Sequence, residues 1–426
     1  MPQKHPIEKK YAFIKSVKRD ATNLIKWLVI SIVTGIVSGG ISSIFAHFLG
    51  IATEYRKTHL WIFLFLPVAG MLIVFLYEKI GYDDRGTNQV LSTIRSEDDV
   101  PMKTGPLIFI STILTHLTGA SAGREGAAIQ LGGSVGNQIG RWIHLDDEDR
   151  HTIVMCGMCA AFTAVFGTPM AAAIFAMEVV SVGVMYYTAL FPCVISALIA
   201  SNFSANLGIY PESFNVAQIP AVTVLTSIKI GIVAIGCGII SIIFCIMLDK
   251  IEYFYKKYLK NPYIRVAIAG IATIILTFFL GTEQYMGSGI EIIHKSIDEG
   301  ITDNLSFFWK MLLTAIAMRA GFRGGEIVPS FAIGATFGCF IGHIIGLEPS
   351  LCAACGMTAV FCGVTNCPIT SVLIAFEMFG FKGSAYYLIS VAISYAVSGY
   401  YGLYKDQTIV YSKYKAKYIN KPTTHV

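Results

Sequence analysis

A single acidic residue, Glu125, lies between two apolar stretches in the segment Gly123-Arg124-Glu125-Gly126. On insertion scales a charged carboxylate at the centre of a bilayer costs about 2.5–3.5 kcal/mol, so such a residue normally pairs with a cation or lines a pathway. The flanking glycines leave backbone N–H groups uncovered, and a helix is predicted to begin just after them. Uncovered N–H groups at a helix start favour an anion, and an ionised Glu125 can itself occupy that place.

Protonation would remove this attraction, so that the Glu125 side chain swings out and a small anion takes its place. The alternative is structural, with Glu125 held permanently by Arg124 or by another cation. The functional interpretation is favoured because two other turns combine uncovered N–H groups with polar side chains. These are Gly86-Thr87-Asn88 and Gly324-Gly325-Glu326-Ile327-Val328-Pro329. If they converge, the site consists of backbone dipoles and can release an anion as well as bind it.

The amino-acid composition indicates that these turns lie within a membrane. Of 426 residues, 54% are hydrophobic and only 14% are charged, whereas soluble domains are about 25% charged. This excludes disordered, collagen-like and disulfide-stapled secreted chains and predicts an all-α polytopic membrane protein. The net charge of +5 gives no reason to expect a nucleic-acid partner. Several apolar stretches are interrupted by Gly or Pro, which is tolerated at membrane depth only beside protein or a water-filled cavity.

Both ends of the chain are basic, over residues 1–23 and 413–426. The positive-inside rule therefore predicts that both termini lie in the cytoplasm and that the chain crosses the plasma membrane an even number of times. The first apolar run is long and lacks the small-residue cleavage pattern of a signal peptide.

Internal repeats predict the architecture. The block 123–126 matches 324–327 at an offset of 201 residues, and the segment 86–91 matches 287–292 at the same offset. Further along, Pro169 precedes Glu178 by nine residues, as Pro368 precedes Glu377. We therefore expect two transmembrane repeats, 24–203 and 222–412, joined by a linker at 204–221. The sequence leaves two orientations of the repeats open, parallel and inverted. The even number of membrane crossings is compatible with two halves that each cross an odd number of times, and such halves are inverted relative to each other. Corresponding broken helices in two halves indicate an anion site at the membrane midplane.

Other residue types favour simpler interpretations. Cysteines with the Cys-x-x-Cys spacing, 156/159 and 352/355, have Gly, Met and Ala neighbours and are predicted to be buried, not metal ligands. His116 and His343 are predicted to be satisfied core histidines. Glu178 and Glu377 are equally compatible with capping a helix and with transport.

No motif for a metal, an organic cofactor or a nucleophile–base pair is present, so an intramembrane enzyme is not expected. A regulatory membrane binding module is disfavoured because the sequence has no soluble ligand domain.

The Gly-Arg-Glu-Gly block, followed about 200 residues later by Gly-Gly-Glu-Ile-Val-Pro, resembles the CLC family of anion channels and proton-coupled antiporters. The resemblance runs from about 24 to 412 and implies a homodimer with one pore per subunit, each subunit built from two inverted repeats. It implies that Glu125 is the external gating glutamate. The anion-binding residues that it implies are Gly86, Thr87, Asn88, Gly123, Arg124, Gly126, Gly325, Glu326, Ile327 and Val328, with Tyr411 as the inner tyrosine and Tyr404 as its alternative.

Departures from the chloride-handling members resemble the fluoride/proton antiporter clade. Thr87 and Asn88 replace the usual Ser and Gly of the first loop, Ala127 replaces a proline after the gating motif, and Glu326 replaces an apolar residue. Val179 stands where chloride antiporters carry an internal proton glutamate, although chloride channels are also apolar there. Val328 stands where the fluoride clade often has a polar residue.

The expected function is therefore a proton-coupled antiporter that exports fluoride in exchange for protons and is gated by Glu125. The alternative in the same fold is a chloride or nitrate transporter, or a passive chloride channel. The expected partners are a small inorganic anion (fluoride or chloride), protons, the lipid bilayer and a second copy of the chain, with no metal, cofactor or nucleic acid. The sequence leaves open the ionisation of Glu326 and the choice between Tyr411 and Tyr404.

Overall fold

A computed structural model describes residues 6–81, 85–96 and 99–425. Residues 1–5 of the predicted N-terminal segment and residue 426 of the predicted tail lie outside this part. The described chain is mostly helical. Its α-helices are α1 Pro6–Thr58, α2 Leu66–Ile80, α3 Thr87–Arg95, α4 Thr104–Thr118, α5 Glu125–Trp142, α6 Asp147–Phe166, α7 Pro169–Glu178, α8 Leu190–Asn206, α9 Val224–Tyr258, α10 Pro262–Leu280, α11 Ile290–Ile297, α12 Ser306–Ala320, α13 Ile327–Ile345, α14 Pro349–Thr365, α15 Pro368–Phe379 and α16 Ser384–Val397.

The first eight helices correspond in order to the last eight. Helices α4 and α12 both have 15 residues, α5 and α13 have 18 and 19, and the short α3 and α11 have 9 and 8. The segment 207–223 joins the two sets without helix or strand. This confirms the two-repeat architecture predicted from the offset of 201 residues.

Reciprocal contacts establish how the repeats are related. The Gly123 amide donates to the Gly325 carbonyl at 2.7 Å, and the Gly325 amide donates back to the Gly123 carbonyl at 2.9 Å. Such an exchange, in which each member contacts the other in the same way, is the mark of a two-fold axis. The repeats are therefore related by an approximate two-fold axis that passes beside these two glycines, and inverted repeats have such an axis in the membrane plane.

Glu178 and Glu377 repeat this exchange at the ends of α7 and α15. Glu178 accepts from the amides of Ile369 and Thr370 at 3.0 and 2.9 Å, at the start of α15. Glu377 accepts from the amides of Met170 and Ala171, both at 2.9 Å, at the start of α7. Each carboxylate thus satisfies N–H groups that have no partner within their own helix. Of the two roles left open by the sequence, this geometry is that of a helix cap.

Glycines let the helices that carry the site approach closely. A Cβ on Gly132 of α5 would lie 2.2 Å from the Gly157 carbonyl oxygen of α6, and a Cβ on Gly334 of α13 would lie 2.3 Å from the Gly356 carbonyl oxygen of α14. Any side chain at these positions would separate the helices. The same packing therefore holds the two broken helices of the site, one in each repeat.

Helix α1 begins earlier than expected. It starts at Pro6, so the predicted N-terminal segment is helical and continuous with the first span, and its 53 residues extend for about 80 Å. Helices long and apolar enough to cross a bilayer occupy six stretches of the described chain. These are Phe13–Thr58, Leu60–Ile80, Tyr187–Asn206, Val224–Tyr258, Pro262–Leu280 and Ile327–Ile345.

Burial confirms that the cysteines and His116 lie in the core. All ten cysteines are free and buried. His116 is 3% exposed, and its Nε2 lies 3.3 Å from the Gly123 carbonyl oxygen. The core position expected for His343 is wrong: this residue is exposed near the end of α13, although its Nε2 lies 2.9 Å from the Gly300 carbonyl oxygen.

A small sheet near the C-terminus was not expected from the sequence. Strand β1 (Ser181–Val182) pairs in parallel with β2 (Thr408–Tyr411), which pairs antiparallel with β3 (Tyr418–Pro422). After β3, the Thr423 hydroxyl donates to the Tyr404 carbonyl at 2.8 Å. The predicted tail thus folds back onto the membrane domain, because the side chains of the hairpin find partners there.

The capping role of Glu178 predicts a loss of stability on Glu178→Gln, because an amide cannot replace a carboxylate that accepts two N–H bonds at a helix start. We expect a loss of about 1–2 kcal/mol in the free energy of unfolding. Titration of the purified protein with a denaturing detergent measures it. Glu299→Gln, at an exposed position, is the control and should unfold like the wild type; equal stability of all three proteins would contradict the capping role.

Candidate functional site

Glu125 is the first residue of α5, and it is completely buried. Its side chain folds back over the start of its own helix, so that a Cβ on Gly123 would lie 2.6 Å from Oε2. This Oε2 accepts from the Arg124 amide at 3.1 Å, while Oε1 has no hydrogen-bond partner among the described residues. Only a glycine at position 123 leaves room for the carboxylate here.

The carboxylate lies between the two repeats. Besides the Arg124 amide, the backbone N–H groups of Glu125 itself and of Val328 face it. Val328 belongs to the first turn of α13, the counterpart of α5 in the second repeat. The starts of α5 and α13 thus contribute to one pocket of backbone amides, and the exchange between Gly123 and Gly325 joins them. The carboxylate of Glu125 therefore occupies a pocket of backbone amides, and such amides at helix starts favour an anion.

No cation holds this carboxylate firmly. The Arg124 Nε lies 3.8 Å from Glu125 Oε1, beyond hydrogen-bond distance. The same guanidinium donates through Nη2 to Glu212 Oε1 at 2.8 Å. Glu212 belongs to the linker 207–223 and directs the guanidinium away from the pocket. The geometry therefore differs from the permanent Arg124–Glu125 ion pair that was the structural alternative.

The second glycine turn precedes α13. Glu326 is the residue just before this helix, and its side chain is 17% exposed. Its Oε1 lies 3.5 Å from the Arg319 Nη2, so the carboxylate pairs with a cation on the wall of a cavity. Ile327 and Val328 are 1% exposed and pack their side chains into the core, which leaves only their backbone for an anion.

The first glycine turn meets the other two. Gly86 has φ of +66°, a conformation that favours glycine, and it immediately precedes α3. A Cβ on Gly126 would lie 3.3 Å from the Thr87 hydroxyl and 2.9 Å from the Gly324 carbonyl oxygen. The three turns predicted from the sequence therefore converge, and Gly126 permits their approach.

Of the remaining predicted residues, Asn88 and Tyr404 lie near the turns, whereas Tyr411 does not. Asn88 Oδ1 accepts from the Asp406 amide at 3.2 Å, which holds the chain beside Tyr404. Tyr404 is 3% exposed and lines the same cavity as Thr87 and Asn88. Tyr411 instead lies on β2, is 47% exposed and contacts Tyr418. The geometry therefore does not bring Tyr411 to the site and favours its alternative, Tyr404.

Two cavities lie on either side of the turns. The first, of about 360 Å³, is the Arg124 cavity, and Arg56, His116 and Gly289 also line it. The second, of about 520 Å³, is the Glu326 cavity, and Thr87, Asn88 and Tyr404 line it. Arg124 belongs to one cavity and Glu326 to the other, and neither cavity includes the buried Glu125. The carboxylate of Glu125 thus lies between two water-accessible spaces.

Several charged residues around the site were missed by the sequence analysis. Lys310 is fully buried, and its Nζ donates to the Ser121 hydroxyl at 2.9 Å and to the Gly287 carbonyl at 2.7 Å. Arg319, beside Glu326, was also missed. Lone cations in the apolar stretch 306–320 were the available signal, but their partners come from other helices and no spacing reveals them.

The convergent turns and the paired repeats agree with known proteins. A family model described as voltage gated chloride channel matches residues 69–399, which is most of the chain. The chain belongs to the CLC family. Members of this family are ion channels and transporters, not enzymes, in agreement with the lack of a nucleophile–base pair in the sequence.

Individual CLC proteins agree with this assignment. A chloride/fluoride channel protein of Pseudomonas syringae pv. tomato is 33% identical over 397 residues, which cover 91% of this chain and 88% of that protein. The crystal structure of a CLC-type fluoride/proton antiporter superposes with a TM-score of 0.86 at 32% identity, over 90% of this chain and 98% of that one. A slow cyanobacterial Cl⁻/H⁺ antiporter, at 19% identity and a TM-score of 0.78 over 87% and 94% of the two chains, has the same fold.

Glu212 also joins Arg124 to His294, which lies on α11, outside the helices that span the membrane. The His294 Nδ1 lies 2.6 Å from Asp298 Oδ2, and its Nε2 lies 3.8 Å from Glu212 Oε2. The nearby carboxylate of Glu212, opposed in part by burial and reinforced by Asp298, raises the pKa of His294 to about 9.

A raised pKa makes folding stability depend on pH. The contribution of His294 to stability should be fully present below its unfolded pKa of about 6.5 and lost as pH rises through about 9. Unfolding of the wild type and of His294→Gln, followed between pH 6 and pH 10 (about the range in which an imidazole titrates), measures this contribution. We expect the stability difference between the two proteins to shrink across pH 9; a difference independent of pH would contradict the raised pKa.

Proposed function

We propose that this CLC protein is a fluoride/proton antiporter in which Glu125 is both the gate and the proton carrier. The observation that carries the proposal is the position of its carboxylate. It is completely buried between two cavities, in a pocket of backbone amides, with no cation within hydrogen-bond distance. A group so placed can be replaced by an anion of the same charge.

The exchange follows from the protonation of one side chain. While Glu125 is ionised, the amides at the starts of α5 and α13 attract it, and the pocket is closed to other anions. Protonation from the Arg124 cavity removes that attraction, so the side chain leaves the pocket and an anion enters it from the Glu326 cavity. The anion then leaves toward the Arg124 cavity, the proton is released toward the Glu326 cavity, and the ionised carboxylate returns to the empty pocket. The anion and the proton thus move in opposite directions.

Fluoride is favoured over chloride by the lining of the pathway and by the relatives. A small anion holds its hydration water tightly, so polar groups must replace that water along the path. The Thr87 hydroxyl supplies one such group, and Glu326 supplies another where chloride-handling members have an apolar residue. The relative at 33% identity is named for chloride and fluoride and the structure at 32% identity for fluoride, whereas the H⁺/Cl⁻ exchange transporter of Vibrio cholerae is 24% identical over 385 residues.

The sidedness of the two cavities follows from the basic termini. If residues 1–23 and 413–426 lie in the cytoplasm of a plasma-membrane protein, the Glu326 cavity opens to the cytoplasm, because Thr423 of the tail contacts Tyr404 there. The Arg124 cavity lies at the far end of α1, beside Arg56, and opens outward. We also propose the homodimer with one pathway per subunit that the CLC family implies. Repeats 24–203 and 222–412 would form each pathway.

Coupled transport in liposomes tests the proposal. Vesicles that contain the purified protein are loaded with fluoride and diluted into fluoride-free buffer, while fluoride and pH are recorded together. We expect protons to enter as fluoride leaves, and a slower flux when chloride replaces fluoride. Fluoride efflux without proton entry, or faster chloride flux, would overturn the proposal in favour of a channel or a chloride transporter.

Glu125→Gln should abolish proton entry in the same assay, because an amide cannot exchange a proton near neutral pH. Glu178→Gln is the matched control: it changes another buried carboxylate, and we expect it to keep the wild-type ratio of protons to fluoride. Continued coupling in the first variant, or its loss in the second, would assign the proton to a different carboxylate.

Tyr404 and Tyr411 are distinguished by a pair of conservative changes. Tyr404→Phe removes a hydroxyl from a residue that lines the Glu326 cavity, and we expect kcat/KM for fluoride to fall about tenfold, the size of one hydrogen bond to an anion. Tyr411→Phe changes an exposed residue on β2 and should leave kcat/KM unchanged. The reverse result would restore Tyr411 as the inner tyrosine.

A further inference from the structure

The Glu326 cavity carries an excess of positive charge. Among the described residues that line it, six are basic and three are acidic. The basic residues are Arg85, Lys256, Arg265, Arg319, Arg323 and Lys405, and the acidic ones are Glu252, Glu326 and Asp406. A cavity with one predominant sign of charge concentrates counter-ions from solution. Its field alone, however, does not define where an anion binds.

Arg319 differs from its neighbours in how its guanidinium is held. Its Nη1 lies 3.8 Å from Glu252 Oε2, and its Nη2 lies 3.5 Å from Glu326 Oε1. Both ion pairs are longer than ordinary hydrogen bonds. The buried Nε has no hydrogen-bond partner among the described residues. A guanidinium has five N–H donors in a planar fork, so several of these donors remain available to an acceptor.

Other cations of the same cavity are already engaged. Lys256 and Lys405 donate to the carboxylate of Glu252 at 2.6 and 2.8 Å, respectively. The Arg265 Nε donates to the Ala320 carbonyl at 2.9 Å. Glu252 is thus held by two lysines, which explains why its contact with Arg319 is long. Arg319 is left between two carboxylates, and none of its ion pairs with the described residues is shorter than 3.5 Å.

We propose that the Arg319 guanidinium is a second anion-binding site, where a small inorganic anion docks before it enters the pocket of amides. The anion takes the under-used donors of Arg319 in place of the long contacts with Glu326 and Glu252. Glu326 directly precedes α13, whose first turn contributes to the amide pocket, so an anion on Arg319 is next to its destination. This inference rests on the proposed function in one respect: the anion enters from this cavity.

The test measures KM for fluoride from each face of the membrane. Everted and right-side-out vesicles each present a single face, and accessibility of the C-terminal tail identifies that face. We expect Arg319→Gln to raise KM about tenfold when the tail side faces the fluoride, and to leave KM from the other side and the proton ratio unchanged. Arg265→Gln removes the same charge from the same cavity, at a residue whose Nε donates to the Ala320 carbonyl and not to Glu252, and should raise KM much less.

Substitutions of acidic residues provide a second, independent part of the test. Glu252→Gln removes a carboxylate that competes for Arg319, and we expect KM from the tail side to fall about threefold. Asp406→Asn, which removes the same charge from the cavity at a residue that makes no ion pair with Arg319, should have a smaller effect. This part remains informative if Arg319→Gln fails to fold.

Three results would overturn the site. These are equal effects of Arg319→Gln and Arg265→Gln, equal effects of Glu252→Gln and Asp406→Asn, and loss of the proton ratio with an unchanged KM. The first two would reduce Arg319 to one part of a general field, and the third would make it a residue that acts through Glu326. A failure of the proposed function is distinguished from a failure of the Arg319 site, because the wild type would then lack proton-coupled fluoride flux in every vesicle.

Discussion

The structure depends on one electrostatic contact, between the carboxylate of Glu125 and the backbone amides at the starts of α5 and α13. Neither helix forms the pocket alone, and the mutual hydrogen bonds of Gly123 and Gly325 hold the two starts together. Broken helices within the membrane are tolerated where their uncovered backbone groups face protein or a water-filled cavity, and here the Glu125 carboxylate faces such N–H groups. The proposed anion site and the broken helices therefore depend on the same backbone groups.

At two other places a carboxylate accepts hydrogen bonds from backbone amides at the start of a helix, and there it is a permanent cap. Glu178 and Glu377 each accept from two backbone amides at the start of a helix in the other repeat. Glu125 has a single hydrogen bond, from the Arg124 amide, and one carboxylate oxygen without a partner among the described residues. A carboxylate with both oxygens satisfied is a permanent cap, whereas one that is partly satisfied in a place between two cavities can exchange with an anion.

Full positive charges surround the pocket but do not enter it. Arg124 is held by Glu212, Arg319 lies between two carboxylates, and Lys310 is held by the Ser121 hydroxyl and backbone carbonyls. Each cation adds to the positive field around the pocket, while backbone dipoles line the pocket itself. Since dipoles bind less strongly than full charges, such a lining allows the release of an anion that the proposed transport requires.

The sequence alone determined the membrane class, the two repeats and the three converging turns, because these features depend on hydrophobic composition, on the 201-residue offset and on local backbone propensity. It missed Arg319, Glu212 and Lys310, placed His343 in the core, and ranked Tyr411 above Tyr404. Only the tertiary structure decided these points, because each depends on which distant segments meet. Hydrogen bonds and ion pairs between helices far apart in the chain leave no spacing in the sequence from which they can be inferred.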